Sequence, residues 1–145
     1  MEKEKTIDHM LRATWQAISK MYNEEAAKHN STMSVAFILL NIDIETGTPS
    51  TALGPRMGME ATSLSRTLKS MEEKGLIYRE QNPDDGRSVL IKLTPFGLEK
   101  RTISRASVIN FNEAVNENVK PEKLAVFFEV IETINQLINS KKIFN

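Results

Sequence analysis

A chain of 145 residues, of which 40% are hydrophobic, is long enough to build one core and too short to favour several domains. It contains no cysteine, which excludes disulfides, thiol nucleophiles, thiolate metal sites and cysteine redox sensing. Nineteen basic and nineteen acidic residues give a formal net charge of zero, so the total charge offers no argument for a nucleic-acid partner.

No apolar run approaches the roughly 18 to 20 residues that span a bilayer. The N-terminal sequence MEKEKTIDHM lacks the apolar core of a signal peptide. We therefore expect a cytoplasmic protein with no membrane partner, organised as a single domain over residues 1–145.

The first part of the chain predicts two helices. From Thr6 to about Lys28, apolar residues recur at steps of three and four, which is the period of one helix face. A second, centrally buried helix is expected from Ser34, acting as its cap, to about Glu45, because a glycine and a proline follow.

Two shorter helices come next, about Ser50–Met57 and Ala61–Lys74, joined by a tight turn that contains glycine. This is the spacing of a helix-turn-helix. Pro55 lacks the backbone donor that a helix interior needs, so we expect the first of these helices to be short or kinked. Opposite its polar face, the second helix carries three apolar residues, Leu64, Leu68 and Met71.

A β-hairpin is predicted directly after the helix-turn-helix. Gly75 suits a left-handed cap, and LIYRE from Leu76 has the composition of a strand. The turn residues Asn82 to Gly86 lead into VLIKL, Val89–Leu93, where alternation again indicates a strand.

Two further helices complete the chain. Thr94 is placed to cap one of them, with Pro95 at the first position, where its missing N–H costs nothing. This helix should run to about residue 118. Lys120 and Pro121 break the chain, and LAVFFEVIETINQLI then predicts a last amphipathic helix.

The predicted fold is thus mainly α with a small β-hairpin wing. A winged helix-turn-helix lobe at about 34–94 is flanked by helices at about 5–29 and 95–140, which we expect to serve dimerisation.

Four short pieces stand in order between residues 59 and 97: Ser65-Arg66 with Leu68, then MEEKGLI, then Asp85-Gly86-Arg87, then LTPFG. In this order and spacing, between long helices, they resemble the MarR family of bacterial transcription regulators, from recognition helix through wing. LTPFG stands in place of the family's Leu-Thr-x-x-Gly. Gly54 and Pro55 depart from the ordinary helix formers that the family has there.

A recognition helix of this kind lies in the major groove of double-stranded DNA, where side chains of its N-terminal half reach base edges. The candidate DNA-binding residues here are Thr62, Ser63, Ser65, Arg66 and Lys69. Arg66 would contact guanine in a bidentate manner or clamp a phosphate, and both alternatives stay open. A polar face that is merely solvated is the competing interpretation.

Further phosphate contacts are expected from basic residues around this helix. Between Pro49 and Pro95 the chain has seven basic and six acidic residues, so placement rather than charge excess must support DNA binding. Besides Lys69, the candidates are Arg56, Arg79 and Lys92.

The predicted wing turn is acidic, although a wing must approach DNA. Arg87 suits a minor groove, because the negative potential of the groove favours a long cation. Asp85 would repel phosphate, so we expect it to turn back and hold Arg87 or a neighbouring backbone donor. The family resemblance implies the same two roles for the Asp-x-Arg motif of the wing. Pro83 and Gly86 would shape the turn, and an exposed arginine without function is the alternative.

The flanking helices carry more apolar surface than one small winged helix needs to cover. Their apolar residues include Ile7, Leu11, Ile18, Met21, Phe127, Phe128, Ile131, Ile134 and Ile138. The resemblance implies a homodimer with interlocked termini, which would read two half-sites of an imperfect palindrome. The alternative is that these faces pack within one chain.

Most of the resembling family admits a small, often aromatic, effector between the dimer helices and the DNA-binding lobe. The candidates for lining such a pocket are Trp15, Met33, Phe37 and His9, each of which is also consistent with plain core or surface. In a dimer, the spacing between the two DNA-binding lobes must match the operator. A ligand that binds more tightly to a dimer with a different spacing would release a repressor from its operator.

An enzyme is disfavoured by the sequence. The two histidines, His9 and His29, lack metal-ligand spacing, no nucleophile motif accompanies them, and NPDDG lacks the alternating oxygen ligands of a calcium loop. No catalytic residue, metal or cofactor is therefore expected. The remaining alternative is a winged helix that contacts only proteins, in which Arg66 and Arg87 would be dispensable.

Overall fold

The computed structural model describes residues 5–144, so the expectations for residues 1–4 and 145 lie outside the described residues. The helices are α1 (Ile7–Ala27), α2 (Met33–Asn41), α3 (Ser50–Met57), α4 (Ala61–Glu73), α5 (Pro95–Asn118) and α6 (Pro121–Ser140). The strands are β1 (Thr48–Pro49), β2 (Ile77–Gln81) and β3 (Val89–Leu93). The described chain divides within α5 into two compact units, residues 5–107 and 108–144.

The mainly helical fold with a small wing is confirmed, but the sheet has three strands instead of the predicted two. All pairs are antiparallel in the order β1-β3-β2, with Thr48 opposite Ile91 and Tyr78 opposite Lys92. Pro49 is tolerated because β1 is an edge strand, where one side of the backbone needs no ladder partner. A two-residue strand is too short to leave an alternating pattern in the sequence.

The predicted bounds of the second helix are wrong at both ends. Its cap is Thr32, whose hydroxyl accepts the Val35 amide at 3.2 Å, and the helix ends at Asn41 instead of continuing to about Glu45. Beyond it, the Asp43 side chain accepts the amides of Glu45 and Thr46 at 2.9 and 2.8 Å and closes a turn. The chain is then drawn into β1, so a turn and a strand replace the expected last helical turn.

The helix-turn-helix is confirmed. α3 and α4 are separated by Gly58, which adopts a left-handed φ of 63°, and α3 is short, with Pro55 inside it. The predicted apolar face of α4 lies in the core of the first unit, with Met71 fully buried. The buried apolar residues of this core are Ile38, Leu39, Ile42, Leu53, Leu64, Leu68, Met71, Leu76, Ile77 and Ile91.

The LTPFG segment joins the sheet to α5. The Thr94 hydroxyl accepts the Gly97 amide at 3.0 Å, as a cap should, and also contacts the carbonyl oxygen of Leu76 at 3.1 Å. Gly97 is buried directly against the Leu76 carbonyl group. The start of α5 is therefore fixed to the chain that enters the wing.

α1 attaches to α2 within the first unit. The Met33 amide donates to the side-chain oxygen of Asn23 at 2.9 Å, and the rings of Tyr22 and Phe37 meet edge to face at 5.4 Å. Burial raises the pKa of Tyr22 above its ordinary value of 10.0. α1 nevertheless contributes no fully buried residue.

Candidate nucleic-acid interface

Helix α4 presents a polar face that follows directly from its buried face. Leu64 and Leu68 anchor the helix in the core, and with 3.6 residues per turn the side chains between them point outward. All five candidates on this helix are exposed: Thr62, Ser63, Ser65, Arg66 and Lys69. The arrangement gives a row of hydroxyl donors and two cations on a rigid helix, which suits base edges and phosphates.

The wing turn is held by its own polar side chains. The Asn82 side chain accepts the Asp84 amide at 3.0 Å and donates to the Ser88 hydroxyl at 2.9 Å. The backbone closes the turn as well, because the Asp85 amide donates to the Asn82 carbonyl oxygen at 3.3 Å. Gly86 lies outside the left-handed region, so its backbone conformation does not require glycine.

Asp85 turns back into the chain as the sequence analysis predicts. One carboxylate oxygen of Asp85 accepts the backbone amide of Arg87 at 3.0 Å. The Arg87 side chain is exposed, and within residues 5–144 it forms no ion pair. The acidic residue therefore fixes the backbone of the arginine and leaves the guanidinium group available to a partner.

Three of the predicted phosphate contacts are engaged within the chain. Arg79 lies 3.5 Å from a Glu72 oxygen, and Lys92 pairs with Glu80 at 2.9 Å. The hydrogen bond that Lys92 donates to the Glu80 carboxylate raises the pKa of Lys92 above its ordinary value of 10.5. Arg56 donates to a backbone carbonyl oxygen at 3.2 Å. The charges of Arg79 and Lys92 are therefore partly compensated, whereas neither Arg56 nor Lys69 has an ion pair in the described part of the chain.

Trp15, Met33 and Phe37, three of the four candidates for an effector pocket, line one cavity of about 270 Å³. Met57 and Met59, which were not among the residues predicted from the sequence, complete its apolar wall. The side chain of Asn41 donates to the sulfur of Met57 at 3.4 Å. The two methionines follow the irregular helix α3, where no periodic pattern marks an inward-facing residue. His9, the fourth candidate, is exposed and does not line this cavity.

Residues 5–144 contain no group of three or more histidine or acidic side chains placed to hold a metal ion. Within the same range, no helix is long and apolar enough to cross a membrane.

A helix-turn-helix with an exposed polar second helix, followed by a β-hairpin wing whose turn carries an exposed arginine, defines the class of winged helix-turn-helix regulators. Comparison with known proteins specifies this class. Residues 32–89 match the model of the MarR family. The chain is 30% identical over 140 residues to the organic hydroperoxide resistance transcriptional regulator of Bacillus subtilis, covering 94% of both chains. It is also 30% identical over 117 residues to the regulator SarZ of Staphylococcus saprophyticus, covering 77% of this chain and 80% of the relative.

Solved structures have the same fold. The PcaV regulator of Streptomyces coelicolor, in complex with its natural ligand, superposes with a TM-score of 0.76 at 21% identity and covers 94% of this chain and 96% of its own. A mutant MarR of E. coli complexed with operator DNA gives a TM-score of 0.77 at 20% identity, over 88% and 92% of the two chains. The chain belongs to the MarR family: it is a DNA-binding transcription regulator and not an enzyme.

Proposed function

We propose that this protein is a homodimeric repressor that binds a palindromic operator through α4 and the wing, and that a small aromatic ligand in the Trp15 cavity releases it. The observation that carries the DNA-binding part is the wing turn, in which Asp85 holds the amide of Arg87 and leaves the guanidinium exposed.

On DNA, α4 enters the major groove and Arg87 enters the adjacent minor groove. The exposed hydroxyls of Thr62, Ser63 and Ser65 and the guanidinium of Arg66 supply the base-edge or phosphate contacts. Lys69 adds a phosphate contact, because its charge is not compensated by a carboxylate among residues 5–144. The pairing of Arg79 and Lys92 with glutamates makes their contribution to affinity smaller.

Apolar surface on each unit supports a dimer. Ile7 and Trp15 on α1 are 65% and 54% exposed, and Phe127 and Phe128 on α6 are 51% and 58% exposed. Neither helix contributes a fully buried residue, so packing within one chain does not account for these faces. Large apolar side chains left exposed on a helix are typical of an interaction site, and a second copy brings an identical surface related by two-fold symmetry.

The Trp15 cavity is the proposed effector site. Its wall combines the indole and phenyl rings of Trp15 and Phe37 with the flexible side chains of Met57 and Met59, which suits a small aromatic ligand. A relative is named for hydroperoxide resistance, but this chain has no thiol, so any response to an oxidant would have to act through other side chains such as methionine.

The DNA part is tested with promoter DNA flanking the protein's own gene, measured at several salt concentrations. We expect Arg66→Ala to lose about 1 to 3 kcal/mol if it reads a base, and a lost phosphate contact to lower the salt slope by roughly one. Arg105→Ala, an exposed arginine on α5, is the matched control and should bind as the parent does. Equal binding by the parent, Arg66→Ala and Arg87→Ala would instead favour a winged helix that contacts only proteins.

The dimer and the effector need separate measurements. Sedimentation should show a dimer that Phe128→Asp dissociates, because a charge on an apolar interface is costly to bury. Trp15 is the single tryptophan, so a small aromatic acid in its cavity should change its fluorescence and weaken DNA binding in parallel. A ligand screen that leaves the fluorescence and the thermal midpoint unchanged would contradict the effector site while leaving the DNA site intact.

A further inference from the structure

The wing begins and ends at a junction where four elements meet. The chain leaves α4 through Gly75 and enters β2, and β3 returns beside it, with Ile77 opposite Leu93. Thr94 follows β3 directly and precedes Pro95, the first residue of α5. All of these residues belong to the first unit. The contacts at this junction therefore determine how the wing and the end of α4 are held against the first turn of α5.

One hydroxyl group connects the backbone of these elements. The Thr94 Oγ1 lies 2.5 Å from the Gly75 carbonyl oxygen and 3.1 Å from the Leu76 carbonyl oxygen. The same oxygen accepts the Gly97 amide at 3.0 Å. A hydroxyl has one proton and two acceptor lone pairs, so Thr94 donates to the end of α4 and accepts from the start of α5 at the same time.

The hydroxyl does more than a helix cap requires. A cap needs only an acceptor for the Gly97 amide. The Thr94 amide donates to the Leu76 carbonyl oxygen at 3.2 Å, which holds α5 to the start of β2. The hydroxyl adds a bond to Gly75, the left-handed residue at the end of α4, and so extends the connection from the wing to the recognition helix.

A small tilt at this junction becomes a large displacement at the turn of the wing. Each wing strand has five residues. Since an extended residue adds about 3.3 Å, the turn lies roughly 16 Å from the junction, and a tilt of about 10° would move it by about 3 Å. A hydrogen bond tolerates only a few tenths of an ångström. The Arg87 side chain is exposed, so such a tilt costs little packing at the turn but removes the arginine from a contact on DNA.

We infer that Thr94 is a positioning residue for DNA binding: its hydroxyl fixes the tilt of the wing and of the end of α4 against α5, and thereby places Arg87 for the minor groove. The inference rests on the proposed contact of Arg87 with DNA. Thr94 lies at the opposite end of the wing from this arginine, so its effect on binding is exerted through Arg87.

The tilt is measured directly as the distance between two spin labels on the full chain. The chain has no cysteine, so Asp84→Cys in the wing turn and Arg105→Cys on α5 provide two exposed labelling sites within the first unit. The labelled protein is diluted into unlabelled protein, so that distances within one chain are recorded. We expect Thr94→Val to shift or broaden the distance distribution by about 3 Å. Thr94→Ser keeps the hydroxyl and should restore the distribution of the parent.

The consequence for DNA binding is measured with promoter DNA flanking the protein's own gene. The loss of affinity caused by Arg87→Ala is compared in the parent and in the Thr94→Val protein. We expect a loss of about tenfold in the parent to fall below about threefold with Thr94→Val, because the arginine no longer reaches its contact. A purely structural role of Thr94 would lower stability and leave the two losses equal.

Thr102→Val is the matched control for both measurements. It removes a hydroxyl that donates to the Leu98 carbonyl oxygen at 3.1 Å within α5. The label distances and the effect of Arg87→Ala should stay as in the parent. Should Thr94→Val fail to fold, as circular dichroism would reveal, Thr94→Asp takes its place. An aspartate caps the Gly97 amide but has no proton for the Gly75 carbonyl oxygen, so the same changes are expected.

Two results would overturn the inference: label distances that Thr94→Val leaves unchanged, or equal losses from Arg87→Ala with and without the hydroxyl. A different result separates it from the proposed contact on DNA. If Arg87→Ala bound as the parent does while Thr94→Val shifted the label distances, the contact of Arg87 would be refuted, and the positioning of the wing by Thr94 would stand.

Discussion

Replacing Gly97 even by alanine is predicted to destabilise the protein, because Gly97 lies against the chain that enters the wing. A Cβ built on Gly97 would overlap the carbonyl oxygen of Leu76 and would lie 3.0 Å from its carbonyl carbon. Both obstacles are backbone atoms, so no side-chain rotation relieves the overlap. The first turn of α5 or the start of β2 would have to move.

The expected loss of stability in Gly97→Ala follows from the contacts that the new Cβ would disturb. Overpacking against a rigid neighbour costs about 1 to 3 kcal/mol. The Leu76 carbonyl oxygen also accepts the Thr94 amide at 3.2 Å and lies 3.1 Å from its hydroxyl, and each such hydrogen bond is worth about 1 kcal/mol. Alanine recovers about 1 kcal/mol of helix propensity. We therefore expect Gly97→Ala to lower the free energy of unfolding by a net amount of about 1 to 4 kcal/mol.

The measurement is urea denaturation followed by circular dichroism, with all proteins at one concentration because a dimer's apparent stability depends on it. Gly86→Ala is the control: its Cβ would lie 3.8 Å from the nearest atom, in the Gln81 side chain, and its φ is not left-handed. That variant should stay within about 0.5 kcal/mol of the parent. A Gly97→Ala protein as stable as the parent would refute the close contact.

Two further predictions concern the segment from α2 to β1. Thr32→Ala should lower the free energy of unfolding by about 1 kcal/mol, because it removes the acceptor of the Val35 amide. Ser34→Ala should leave the free energy of unfolding nearly unchanged. If urea denaturation gave the opposite order, Ser34 would be the cap. The Thr46 hydrogen bonds and the other partners of Asp43 lower its pKa in the folded protein below the ordinary value of 3.8. The ionised carboxylate therefore stabilises the fold above pH 3.8, and this stabilisation is lost as the pH falls through the lower pKa of the folded state. Asp43→Asn should thus narrow the gap in stability between neutral and acidic solution, and an unchanged gap would contradict the role given to this carboxylate.

Sequence periodicity was sufficient to predict helices that have one apolar and one polar face over several turns. The apolar period of α4, the left-handed Gly75 and the Thr94 cap of Gly97 are each recognisable from residues only a few positions apart. The same holds for the wing turn, where Asp85 and Arg87 are two positions apart. Local chemistry therefore determined the helix-turn-helix, the wing and the candidate DNA-binding residues.

Tertiary structure decided what depends on distant partners. The apolar run of α2 favours continued helix on local grounds, yet the chain leaves it at Asn41 because Thr48 pairs with Ile91, more than forty positions away. Likewise, only the fold brings Trp15 to Met57, and the Thr94 hydroxyl to Gly75. The sequence by itself predicted the winged helix-turn-helix from short-range pattern, and its resemblance to the MarR family implied a transcription regulator. The third strand and the Trp15 cavity could be identified only in the folded structure. Their residues come from distant parts of the chain, so no repeating pattern in the sequence marks them.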